Sequence, residues 1–177
     1  MKLLAAVLLC LLLSPTTSKE EKISWAEDRK LTWEDFKGVP SGPPDYVAST
    51  NSGVSFSFSY KERNGRGIVD YTIKSFFYPE LSWYRPEKVS NYILGHEQMH
   101  FDISELCARK LRKSLAELPH DRDFKAISEN IYNQNEADRR EMQSQYDKDS
   151  DHSKDRDGEY RWREYIAEQL EAYGSWE

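Results

Sequence analysis

Alternating apolar and polar positions predict a β-hairpin in the first half of the chain. From Val54 to Tyr60, valine and aromatic side chains alternate with serines, which is typical of a half-buried strand. Asn64 and Gly65 follow, a pair that favours a tight hairpin turn. Residues 68–78 alternate again and predict the returning strand, while residues 46–52 are a candidate third strand. We therefore expect a small antiparallel sheet.

The second half of the chain shows helical periodicity instead. A long helix is predicted with Pro86 in its first turn and an end near Ala116, because Pro119 cannot continue it. A second helix should begin near Asp121, and the charged residues 146–158 are predicted to form a loop after it. The apolar stripe of a last amphipathic helix consists of Trp162, Ile166, Leu170 and Tyr173. Strands followed by helices indicate an α+β domain.

The long helix contains the sequence GHEQMH at residues 95–100. His96 and His100 are four residues apart, so their imidazoles lie on one helical face and can converge on a single metal ion. Glu97 lies about 100° further round the helix, where it can reach a metal-activated water as a general base. This HExxH pattern predicts metal-assisted hydrolysis with one zinc ion.

A catalytic zinc usually has three protein ligands, so a third must come from outside the motif. Asp102 and Glu105 point more than about 130° away from the histidines and are predicted to be solvated, with Glu105 paired to Arg109. Cys107 lies about 10 Å along the helix from His100 and is predicted to be a buried apolar residue. None of these side chains is expected to reach the metal.

Two histidines outside the motif remain. His120 stands at a helix junction, whereas His152 follows a helix that should pack beside the HExxH helix. Elimination therefore favours His152 as the third ligand. A glutamate of the second helix, Glu129 or Glu136, is an alternative, although neither falls on the apolar stripe.

Three polar residues of the second helix have two interpretations each. Tyr146 is a candidate donor to the oxyanion of the reaction, or else a core tyrosine. Asn135 and Asp138 interrupt the apolar stripe, so they are either exposed to solvent or hydrogen-bonded to the metal-binding histidines.

The first 18 residues predict a cleaved secretory signal. Lys2 is followed by an apolar run to Leu13 and by small residues up to Ser18, and the run is too short to span a bilayer. Cys10 raises a lipoprotein alternative, but the apolar run continues past it. We expect a secreted or periplasmic protein, residues 19–177, with a single domain and no stable membrane insertion.

The composition argues against two further features, an internal disulfide and the binding of nucleic acid. The expected mature chain keeps only Cys107, so an internal disulfide is excluded. The net charge of −6, without a basic run, disfavours nucleic acid as a partner.

Three stretches carry a resemblance to a known family. They are LTWEDFKG at residues 31–38, HEQMHFDISELCAR at residues 96–109 and YDKDSDHS at residues 146–153. Together they resemble the predicted secreted zinc-dependent proteases of bacteria, catalogued mainly as a domain of unknown function. The late family pattern is Tyr-Asp-x-x-Thr-x-His-Gly, in which this chain has Ser150 and Ser153 at the threonine and glycine positions. The resemblance implies a zincin-like fold, an extended peptide paired with an edge strand, and a ligand role for His152.

The leading hypothesis is a secreted zinc metallopeptidase that acts on peptides or proteins. Glu97 would be the general base, and His96, His100 and His152 would hold the metal. The alternative is a non-catalytic, metal-binding secreted domain. A structural site is closed by four protein ligands, whereas a catalytic site keeps one position open.

Overall fold

The chain folds as an α+β domain with two small antiparallel sheets and three helices. The computed structural model describes residues 21–177, so the predicted signal peptide lies outside the described residues. The strands are β1 (Ile23–Ser24), β2 (Ala48–Ser49), β3 (Ser52–Arg63), β4 (Arg66–Phe77) and β5 (Trp83–Tyr84). The helices are α1 (Asn91–Ala116), α2 (Phe124–Asp149) and α3 (Arg156–Ala172). Within this part of the chain, no helix is both long and apolar enough to cross a membrane.

The predicted hairpin is confirmed. β3 and β4 pair antiparallel along their full length. Asn64 and Gly65 have φ angles of 54° and 74°, the left-handed conformation that a two-residue hairpin turn requires. Val54 and Ile73 are buried against α1, while the serines of β3 beyond residue 56 face solvent. The alternation therefore places the apolar face of the hairpin on the helix that carries the HExxH motif.

The third strand lies elsewhere than predicted. β1, rather than residues 46–52, pairs with the second edge of β4. β2 pairs with β5 in a separate two-stranded sheet, with Ala48 opposite Tyr84. The backbone N–H of Asn51 donates to the Ser82 hydroxyl (2.8 Å), which separates this short pair from the start of β3. The segment before β3 is thereby held beside α1 instead of joining the main sheet.

Helix α1 is the centre of the fold. It begins at Asn91 because the Ser90 side chain caps it and accepts the N–H of Ile93, whereas Pro86 opens a separate 3-10 turn. Its end at Ala116 agrees with the prediction. The hairpin packs on one side of α1, and α2 and α3 pack on others. A helix covered in this way buries residues on most of its faces.

The prediction that Asp102 and Glu105 are solvated is wrong. Both are buried, with 8% and 3% of their surface exposed. Asp102 accepts the Trp25 indole N–H (2.7 Å), and Glu105 accepts the Ser75 hydroxyl (2.6 Å). The pair between Glu105 and Arg109 is confirmed at 3.1 Å. The helical-wheel argument failed because the N-terminal segment and β4 cover the side of α1 opposite the histidines.

The end of α2 also differs from the prediction. Residues 146–149, expected in a loop, form the last turn of the helix. The backbone N–H groups of Asp151 and His152 donate to the carbonyls of Lys148 (3.3 Å) and Asp147 (2.8 Å). This pair of bonds is the Schellman arrangement, with Asp151 in the left-handed conformation usually taken by glycine. Asp147 is therefore a helical residue, and His152 lies just beyond the helix end.

Cys107 is buried in the core, as predicted, with 1% of its surface exposed. Burial raises the pKa of its thiol to about 11, so almost no thiolate forms near neutral pH. In residues 19–177 at pH 8, we expect this thiol to resist a chromogenic disulfide reagent until the chain is unfolded in denaturant. Stoichiometric labelling of the native protein would contradict the packing around α1.

Candidate metal centre

The two histidines of the HExxH motif converge on a carboxylate of α2. The Nε2 atoms of His96 and His100 each lie 3.2 Å from Oδ1 of Asp147. One ligand atom from each of these three residues lies within 4.8 Å of the others. Within residues 21–177, the three side chains form the group that could hold a metal ion. Tetrahedral ligands with bonds of about 2.0–2.1 Å are separated by roughly 3.3–3.4 Å. The two distances from Asp147 to the histidines therefore match the separation of ligands around a tetrahedral zinc ion.

Asp147, rather than His152, completes the group of three side chains that could hold a metal ion. His152 lies beside it, with its Nδ1 3.7 Å from Oδ1 of Asp147. The His152 side chain is 46% exposed, against 5% and 11% for His96 and His100. Sequence reasoning missed Asp147 because it considered only the remaining histidines and the glutamates of the second helix as the third ligand. As part of the last turn of α2, its carboxylate is directed at α1.

The carboxylates considered as alternatives have other partners or surroundings. Glu136 pairs with Arg139 at 2.9 Å, and Glu129 is exposed. Asp138 accepts a hydrogen bond from Gln134 (2.7 Å) at the surface. Asn135 donates to the carbonyl of Cys107 (3.0 Å). The interpretation of Asn135 and Asp138 as partners of the metal-binding histidines therefore receives no support from these contacts.

Glu97 has an unsatisfied oxygen at the cleft. The residue is 4% exposed, and its Oε2 has no hydrogen-bond partner among the described residues. Buried polar atoms are nearly always paired, so this unpaired carboxylate oxygen can accept a hydrogen bond from a bound water molecule. A water held between this oxygen and a metal would satisfy it. The donor set and this orphaned atom together fit a zinc site.

Glu159 of α3 supports His96 from behind and was not found by sequence reasoning. Its Oε2 lies 2.9 Å from Nδ1 of His96, and the carboxylate is fully buried. Its Oε1 accepts the Tyr146 hydroxyl (2.7 Å) and Nε of Arg163 (2.8 Å). A carboxylate that holds one imidazole nitrogen leaves the other free for a metal.

One residue of the sequence, Gly158, points to the position of Glu159, but its meaning is clear only once the structure is known. A Cβ on Gly158 would lie 2.0 Å from the Asp149 carbonyl, so the start of α3 approaches the end of α2 too closely for another residue. That contact brings Glu159 under the histidines. A single glutamate among the many charges of α3 does not reveal this by itself.

Tyr146 positions His96 instead of facing the cleft. Its ring stacks on the His96 imidazole with centroids 4.6 Å apart, and its hydroxyl donates to Glu159. Burial and the neighbouring Glu159 carboxylate raise the pKa of this phenol far above its usual range. Tyr146 is not among the residues that line the cleft. This placement matches the core interpretation and does not match the expected oxyanion donor.

The His96 imidazole lies between two carboxylates, which raise its pKa. Burial lowers the pKa of His96, but the bonds to Asp147 and Glu159 outweigh it and raise the pKa to about 9. Burial raises the pKa of Asp147, yet the bonds from His100 and His96 hold it well below its usual range. A metal cation at this centre would replace the second imidazole proton of His96, because ligand imidazoles must be neutral.

A cleft of about 460 Å³ opens over the centre. One wall consists of residues 41–50, and the other is formed by α1, the end of α2 and residues 152–154. Two basic side chains hold the first wall: Arg85 donates to the Tyr46 carbonyl (3.0 Å) and Lys88 to the Pro44 carbonyl (2.9 Å). The group formed by His96, His100 and Asp147 is therefore accessible from solvent through this cleft.

Replacing Glu159 by glutamine should weaken zinc binding by about 10- to 100-fold, the usual cost of losing a partner that orients a ligand. Competition titration against a zinc-binding dye measures this change. Glu164→Gln, at an exposed position of the same helix, is the matched control and should bind zinc normally. Equal affinities for the two variants, with both folded by circular dichroism, would remove Glu159 from the centre.

Comparison with known proteins gives a family. No curated protein and no solved structure matches the chain. One protein family matches over residues 35–153, a range that includes the HExxH motif, Asp147 and His152. The match covers more than half of the chain, which therefore belongs to the family described as "Bacterial protein of unknown function (DUF922)".

Proposed function

We propose that this protein is a zinc metallopeptidase with a zincin-like arrangement. The observation that carries the proposal is the convergence of His96, His100 and Asp147 beside the unpaired Oε2 of Glu97, at the floor of an open cleft. Three protein ligands leave one coordination position for chemistry, whereas a structural zinc site has four. We propose Asp147 as third ligand in place of His152.

The reaction is hydrolysis of a peptide bond. A bound zinc would polarise the scissile carbonyl and lower the pKa of a water molecule toward about 7. Glu97, which lines the cleft, would accept a proton from that water at its carboxylate while the C–O bond forms, and then deliver the proton to the leaving nitrogen as the C–N bond breaks. The products are a carboxylic acid and an amine, and Glu97 returns to its ionised form.

The supporting residues have separate tasks. Glu159 keeps the proton of His96 on Nδ1, so that Nε2 presents a lone pair to the metal. Tyr146 holds the imidazole plane by stacking and donates its hydroxyl hydrogen to the same glutamate. Fixed orientation matters because small displacements of catalytic groups reduce rates strongly.

The cleft favours a peptide or protein substrate. Its first wall contains the extended residues of β2, which pair with β5 on one side only. A strand with a free edge offers backbone groups to an extended peptide. The predicted signal peptide places this activity outside the cytoplasm, on secreted or periplasmic targets.

The test is metal analysis combined with cleavage of a random peptide library by residues 19–177. We expect about one zinc per chain and cleavage that a chelator abolishes and added zinc restores. Full zinc occupancy without cleavage would reject the proposed peptidase activity and favour the non-catalytic, metal-binding domain. If the protein bound no zinc at micromolar zinc concentrations, both the peptidase and the metal-binding domain would be rejected.

A further inference from the structure

His152 stands at the cleft beside the metal centre without belonging to it. Its ring lies 3.7 Å from the Asp147 carboxylate, while 46% of its side chain stays exposed. The residue lines the cleft together with Glu97. A ligand of a buried metal would be enclosed as His96 is, whereas a group that meets substrate must be accessible.

The backbone holds this ring rigidly. The N–H of His152 donates to the carbonyl of Asp147 (2.8 Å), so the histidine is tied to the end of α2. Asp151, His152 and Ser153 have φ angles of 44°, 51° and 71°, three consecutive left-handed residues without a glycine. Such backbone is unfavourable for residues other than glycine and persists only where surrounding contacts impose it.

The opposite wall of the cleft contributes a further contact. The Tyr46 ring packs against the His152 ring with centroids 5.3 Å apart. Because Arg85 and Lys88 hold the segment around Tyr46, the imidazole is fixed from both sides of the cleft. Its Nδ1 faces Asp147, so Nε2, at the other side of the ring, is the atom that would meet a substrate.

We infer that His152 is the hydrogen-bond donor that stabilises the oxyanion formed when water adds to the scissile carbonyl. This inference rests on the proposed function and assigns to His152 the task that Tyr146, turned toward Glu159, does not perform. The 3.7 Å between Nδ1 and Asp147 is too long for a hydrogen bond that would keep the proton on Nδ1, so the neutral imidazole can carry its N–H on Nε2, where the donor is needed. Removing a donor of this kind typically lowers kcat by about 10²–10³-fold.

The test uses cobalt-substituted protein, residues 19–177, with inorganic phosphate as the tetrahedral oxyanion probe. His152→Ala should leave the visible cobalt spectrum unchanged and weaken phosphate binding, read from its spectral perturbation, by about tenfold or more. His152→Gln keeps an N–H donor and should recover part of the affinity. His120→Ala, which replaces the histidine before α2, is the control and should change neither measurement.

Two outcomes would overturn the inference. A changed cobalt spectrum in His152→Ala would make this residue a ligand, and unchanged phosphate affinity would make it a surface histidine. Both outcomes leave the metal centre itself intact. Failure of the wild-type protein to bind cobalt or zinc would instead reject the proposed function, so the two failures are distinguishable.

Discussion

Replacing Glu97 by glutamine should abolish peptide hydrolysis while zinc stays bound. The amide has the shape of the carboxylate but cannot accept the proton of water, so the general-base step is lost. General acid–base catalysis contributes about 10²–10⁴-fold, and we expect kcat to fall by at least that factor. Because Oε2 of Glu97 has no hydrogen-bond partner among the described residues, the exchange breaks no contact to that atom.

The measurement is initial cleavage rate at saturating peptide together with zinc content. Gln98→Glu is an unsuitable control, because the Gln98 amide donates to the Asp102 carboxylate in the core (2.8 Å), a bond that a glutamate cannot make. Glu87→Gln, at an exposed position before α1, changes the same charge without touching the cleft and should retain full activity. Turnover of Glu97→Gln at the rate of this control would reject the assigned base.

Replacing Asp147 by asparagine should release the metal. The variant keeps the shape of the side chain but loses the anionic oxygen on which His96 and His100 converge. Loss of an orienting partner alone costs about 10–100-fold in metal affinity, so loss of the ligand itself should cost at least about 100-fold. Isothermal titration with zinc measures the affinity.

Asp138→Asn is the matched control, since Asp138 lies on the same helix and bonds Gln134 at the surface. It should bind zinc as the wild type does. Retained affinity in Asp147→Asn, combined with loss in His152→Ala, would restore His152 as the third ligand. The two variants thus show whether the third ligand is His152, as expected from the sequence, or Asp147, as proposed from the structure.

Local patterns predicted most of the fold. The hairpin followed from strict alternation and from an Asn-Gly turn, both of which act over a few residues. The end of α1 at Ala116 followed from spacing and from Pro119. The apolar stripe of α3 also packs as predicted, with Ile166 buried against α1 and α2.

The parts that failed depend on contacts between distant segments. Asp102 and Glu105 are buried because α1 is enclosed from several sides, which the direction of one helical stripe does not reveal. The end of α2 was misplaced because a run of charges normally ends a helix, whereas here the helix continues to Asp149 and a left-handed Asp151 follows it. Glu159 was missed because its partner, His96, lies 63 residues away in the chain.

The proposed metal centre joins elements that the chain keeps far apart. His96 and His100 come from α1, Asp147 from the end of α2, and Glu159 from α3. An unfolded chain therefore has no preformed site, and zinc would act as a cross-link among three helices. With free zinc at about 1,000 times the dissociation constant, such linkage adds roughly 4 kcal/mol to the free energy of unfolding. Under the proposed export and zinc binding, the resistance of the folded chain to proteolysis would then depend on the zinc content of its surroundings.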